Sequence, residues 1–123
     1  EMLWRDWSPG YDASFDLESI RKSLAEPKNL QAALGYYRAT LGDGYRDPQL
    51  SELQNQMSSG VPSQPMLYLH GANDGCIGTD VVASAKSMAP ANVKFEVVAA
   101  AGHFLQLEQP EKVNRLICEF LAS

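Results

Sequence analysis

Cysteine and histidine are both scarce in this chain, with two of each among 123 residues. Cys76 and Cys118 form neither a CxxC pair nor a zinc-type spacing, which argues against a disulfide scaffold or a zinc module. Two free thiols suit a reducing compartment, so a cytoplasmic protein is expected. Positive charge is also short: ten Lys and Arg stand against 15 Asp and Glu, for a formal net charge of −5. No basic cluster exists to neutralise phosphates, so no nucleic-acid partner is expected. No apolar run approaches the ~20 residues that span a bilayer, and no membrane association is expected. A charged stretch leading into an apolar one is also missing, so no signal peptide is read.

What is present suits a folded core: 45% of residues are hydrophobic and 20% charged. The first fifteen residues, "EMLWRDWSPGYDASF", carry two tryptophans and a Pro-Gly turn signal, which predicts an irregular segment anchored by aromatic rings. Asp16 is placed to cap a short helix in which Leu17, Ile20 and Leu24 share a face, and Pro27 marks its end. A second helix is predicted over 28–41, where Leu30, Ala33, Leu34, Tyr37 and Leu41 follow the 3.6 period. From Gly42 to Gln64, "GDGYRDP" and "SSGVPSQP" read as two loops around a weak helical turn.

The rest alternates. "PMLYLHG" predicts a buried strand over 66–69, and a helix is predicted over 79–88 with Val81, Val82, Ala85 and Met88 on one side. "VKFEVVA" is the second strand, and a helix opened by Pro110 carries Val113, Leu116, Ile117, Phe120 and Leu121 on one face. The order is that of a parallel βαβ unit with a closing helix, an α/β class. Two buried-type parallel strands are too few to stand alone. The sheet is expected to be completed by self-association or by a further, N-terminal part of a larger enzyme.

Each predicted strand is followed by a loop bearing an ionisable residue, Asp74 in "HGANDG" and His103 in "AAAGHF". The C-terminal edge of a parallel sheet is where ligands and catalytic groups collect. A carboxylate there can accept an imidazole N–H, fix the tautomer and stabilise the imidazolium formed in proton transfer. The bland reading is an Asx turn at Asp74 and a surface histidine at 103. His70, directly before Gly71, reads as structural support for the loop. His70, Asp74 and His103 lack the tight spacing of metal ligands, so neither a metal nor any other cofactor is expected.

"PMLYLHGANDGCI" together with "VVAAAGHFLQLEQPEKVNRLICEFL" resembles the carboxy-terminal end of α/β-hydrolase-fold enzymes, above all the epoxide hydrolase and dehalogenase branch. The resemblance covers 65–121. It implies that Asp74 is the acid and His103 the base of a catalytic triad. It also implies an organisation of a partial helical cap over 1–45, a linker over 46–64 and a βαβα part of the hydrolase core over 65–123. "AALGYYRATL" is similar to a cap helix of epoxide hydrolases, and the resemblance makes Tyr37 the hydrogen-bond donor to an opening epoxide oxygen. On the predicted apolar stripe its ring faces inward; the alternative is a packed tyrosine whose hydroxyl finds a local partner.

The fold's nucleophile normally sits on a G-x-S-x-G turn or its Asp counterpart, and this chain has neither. The resemblance implies the function of an epoxide hydrolase-like enzyme acting on a small apolar substrate. This chain holds its acid and base while the attacking group lies elsewhere, so the 123 residues alone are expected to be inactive. A carboxylesterase or haloacid dehalogenase of the same fold is the nearest alternative. A non-catalytic, oligomeric ligand-binding module is the alternative of a different class.

Overall fold

The computed structural model describes residues 1–60 and 62–123, and of residues 58 and 59 the backbone alone. It falls into two units, one formed by 1–13 with 62–123 and the other by 14–61. The first thirteen residues thus belong with the strands and not with the helices that directly follow them. The loop expected over "SSGVPSQP" includes residue 61 and so lies partly outside the described residues.

In the first unit, β1 (Met66–Gly71) and β2 (Val93–Val98) pair in parallel, with Met66 opposite Val93 and Gly71 opposite Val98. β1 runs two residues past the expected Leu69 because the ladder continues through His70 opposite Val97. The connecting helix α5 (Thr79–Met88) has the bounds its periodicity predicts. Its expected apolar side is only partly covered: Val82 is buried, whereas Val81 and Met88 stay exposed, since two strands offer a narrow face to pack on. After β2 come a single turn, α6 (Leu105–Glu108), which the sequence reading does not include, and α7 (Pro110–Leu121). Proline suits the opening of α7, where its missing N–H has no partner to lose. Val113 and Leu116 of α7 close over Val98 and Ala101, with Leu69 and Leu105 packed against them. Ile117 and Leu121 of the same stripe remain exposed.

The segment expected to be irregular at the amino end is instead a helix, α1 (Met2–Trp7). Six residues cannot hold a helix by propensity alone. The aromatic anchoring that the composition suggests supplies the rest: Trp4 is buried, stacks on Phe104 at 3.9 Å between ring centroids, and meets Tyr11 at 5.7 Å.

Among its described residues the second unit carries helices and no strand: α2 (Ser14–Ser23), α3 (Pro27–Leu41), a 3-10 turn over Pro48–Leu50 and α4 (Ser51–Ser59). Asp16 lies inside the first turn of α2 and not at its cap, and Pro27 opens α3 where it was expected to close α2. α4 is a full nine residues where a weak turn was expected. The Arg46 guanidinium donates to the carbonyls of Ala39, Thr40 and Gly42, satisfying the carboxy-terminal end of α3. No residue of α2 or α3 is buried, and the α3 stripe of Leu30, Leu34, Tyr37 and Leu41 is exposed. Among the described residues no helix is long and apolar enough to cross a membrane.

Candidate active site

Parallel pairing of β1 and β2 brings the loops after both strands to one end of the sheet. Asp74 and His103, 29 residues apart in sequence, meet there, with Asp74 Oδ2 3.0 Å from His103 Nδ1. The Asp74 side chain is 4% exposed and that of His103 30%, so the carboxylate is sealed while the imidazole keeps an outward edge. The other oxygen of Asp74, Oδ1, accepts from the backbone N–H groups of Cys76 at 2.7 Å and Ile77 at 3.0 Å. That pattern is the Asx turn that "ANDG" suggests, and it coexists with the imidazole contact: one oxygen folds the loop and the other faces the histidine.

Burial pushes the Asp74 carboxyl up. The Ile77 and Cys76 amides, the His103 hydrogen bond and the His103 charge outweigh it together and hold the group below the ordinary carboxylate value. A carboxylate in this state accepts hydrogen bonds only, so Nδ1 of His103 carries the hydrogen and Nε2 is the proton-accepting atom.

His70 takes the opposite form. It is 4% exposed, and its Nε2 lies 3.0 Å from the Ile77 carbonyl oxygen, which can only accept. Nδ1 is then the acceptor facing the Tyr68 hydroxyl at 3.5 Å. His70 thus ties β1 to the far side of the acid loop, the supporting role its position suggests. Its Nε2 lies 3.8 Å from Asp74 Oδ2. Among the described residues no three His, Cys, Asp or Glu side chains come together as metal ligands.

The base loop is held backbone atom by backbone atom. Gly102 N–H donates to Glu108 Oε2 at 2.8 Å, His103 N–H to the Trp7 carbonyl at 2.9 Å, and Phe104 N–H to Ser8 Oγ at 3.1 Å. Ser8, 1% exposed, donates in turn to Glu108 Oε1 at 2.7 Å. The Trp7 carbonyl also accepts from Gly75 N–H of the acid loop at 3.2 Å. The Trp7 ring meets the His103 ring edge-on at 4.8 Å between centroids. Gly102 is required here by close approach, since a Cβ would stand 2.6 Å from Ser8 Cα and 2.7 Å from the Trp7 oxygen. Just before it, Ala100 turns the chain at φ 54°, the left-handed region that alanine adopts at a cost.

Ser8, Trp7 and Glu108 are the residues that sequence reasoning misses. Their faint signals are two tryptophans three residues apart, which share a helix face, and an acidic residue just ahead of the helix-opening proline. Tyr37 belongs to the other unit. Its ring, expected to face inward, is half exposed, because among the described residues of that unit no layer covers its stripe. It lies 4.2 Å from the Tyr36 ring, and the hydrogen bond between the two phenols raises the Tyr36 pKa. The local-partner alternative therefore describes its hydroxyl, without the packing.

Fold and site together define a mixed α/β chain with a buried carboxylate orienting an imidazole at the C-terminal ends of two parallel strands. Compared with protein-family models, with curated proteins and with solved structures, the chain finds no match in any of the three.

Proposed function

We propose that Asp74 and His103 are the acid and base of a hydrolase of the α/β-hydrolase type, epoxide hydrolase-like in its substrate class. A carboxylate supplied from outside these 123 residues attacks a ring carbon of a small apolar epoxide; that carbon–oxygen bond breaks, the freed alkoxide takes a proton, and an ester intermediate results. His103 Nε2 then takes a proton from the water that attacks this ester, and Asp74 stabilises the imidazolium. The observation that carries the reading is the 3.0 Å contact between Asp74 Oδ2 and His103 Nδ1, with the second carboxylate oxygen already committed to two amides. That arrangement fixes the imidazole's tautomer and direction, as a base-orienting acid must. Tyr37 as donor to an epoxide oxygen rests on the resemblance alone.

An esterase or haloacid dehalogenase needs the same acid and base, and the nucleophile's identity separates them. The ligand-binding module has one cleft in its favour, about 430 Å³ in the helical unit. Arg46, Asp47 and Gln54 line it together with Ala39, Tyr45 and Leu50, a mixed polar and apolar wall.

The test assays styrene oxide and a chromogenic ester. It compares the chain alone with the chain joined to an α/β-hydrolase amino-terminal half bearing the nucleophile elbow, and with His103→Ala and Asp74→Asn forms of the joined protein. The chain alone is expected to be inactive and the joined protein active. His103→Ala is expected to lower turnover by ~10² to 10⁴, the range of general-base catalysis. Turnover indifferent to His103→Ala would sink the reading.

A further inference from the structure

Three consecutive amides, those of residues 102, 103 and 104, are each taken by a different acceptor: a Glu108 oxygen, the Trp7 carbonyl and Ser8 Oγ. Two of the three acceptors are joined by the Ser8-to-Glu108 hydrogen bond of 2.7 Å, although their residues lie 100 positions apart. Glu108 is bidentate in this, spending one oxygen on Ser8 and the other on Gly102. Both partners are withdrawn from solvent, Ser8 fully and Glu108 in part. A loop held only by its own turn would leave the imidazole free to swing; the Trp7 and Phe104 rings meet the His103 ring at 4.8 and 5.3 Å between centroids but do not fix the backbone that carries it.

The geometry assigns Glu108 and Ser8 as positioning residues for His103: they set the backbone on either side of the base and so fix the line from its Nδ1 to Asp74. The assignment rests on the hydrolase reading for its purpose, though not for its test. Without the Glu108 carboxylate, Gly102 and Ser8 each lose a partner, the loop relaxes and the Asp74–His103 hydrogen bond lengthens. The Nδ1–H form then loses its advantage over the Nε2–H form. Glutamine at 108 keeps one carbonyl oxygen and so restores part of the clamp. Alanine at 8 removes the donor to Glu108 and the acceptor of Phe104 N–H together.

Imidazole ¹⁵N spectra of the 123-residue chain read this directly, because His70 and His103 hold opposite tautomers and give separate patterns. At neutral pH the native chain is expected to show His103 mainly as Nδ1–H. Glu108→Ala should lower the ratio of Nδ1–H to Nε2–H by roughly fivefold, the factor set by the net contribution of about one hydrogen bond. Ser8→Ala should act in the same direction and Glu108→Gln should recover part of the loss, while the β1–β2 amides keep their native shifts. A merely structural role predicts something else: lower melting temperatures with the His103 ratio unchanged. That result in Ser8→Ala and in either Glu108 variant overturns the assignment, and if Glu108→Ala does not fold, Glu108→Gln and Ser8→Ala decide it. Failure of the joined protein to turn over substrate would strike the hydrolase reading and leave this coupling standing, whereas an unmoved tautomer would do the reverse.

Discussion

Asp74 is the residue on which most of the site's electrostatics turn. Its native pKa lies below its unfolded value, so ionised Asp74 stabilises the fold. That stabilisation is complete above the ordinary aspartate value of about 4 and is lost as pH falls through the lowered native value. Asp74→Asn should cost about 1 to 3 kcal/mol at neutral pH, because a loop amide or the imidazole loses a charged acceptor. It should also flatten the acid side of the stability curve. Urea unfolding at a series of pH values from neutral into the acid range measures both, and an unchanged acid slope in the variant would count against the assignment. Gly102 poses a steric question instead. Gly102→Ala places a methyl against Ser8 and the Trp7 carbonyl, and overpacking of this kind costs about 1 to 3 kcal/mol. Thermal unfolding should show a lowered midpoint, with the near-ultraviolet signal of the tryptophans altered even below the transition.

Among the elements, α1 has the most consequence for its length. It has six residues, yet its end supplies two of the three acceptors on the base loop. Trp4→Ala should cost about 3 kcal/mol or more, as large aromatic deletions do, and should speed amide exchange at His103 and Phe104 ahead of the strands. Equal loss of protection everywhere would show that α1 does not act locally. The elements were legible in proportion to how local their causes are. α5 and α3 could be read within a residue because the side-chain period lies inside the segment itself, although Pro27, expected to close α2, opens α3. α1 could not, because its support is a stack on Phe104, remote in sequence. The Asp74–His103 pairing was readable since both residues follow strands that had to pair. The Ser8–Glu108 link was not, because nothing in a local pattern connects residues 100 apart. Tyr37 shows a further limit: periodicity reveals which residues share a face but not whether anything covers that face.

For the molecule as a whole, the sheet has two parallel strands among the described residues, so the outer backbone edge of each has no sheet neighbour there, and Val97 is half exposed. The chain is expected to self-associate, with dimers or larger species in sedimentation. Since each copy carries a net charge of −5, added salt should strengthen association by screening repulsion between copies. A monomer at high concentration, with and without salt, would be the opposite result. The shared use of the Trp7 carbonyl by Gly75 and His103 has a mechanical meaning at this scale. One oxygen serves as the pivot of both loops, so a displacement of α1 carries acid and base as a rigid couple, altering where they sit without prising them apart. Hydrogen exchange of the Gly75 and His103 amides should then be governed by a single opening event. Their protection should rise and fall in step through temperature and denaturant, as two readings of one hinge.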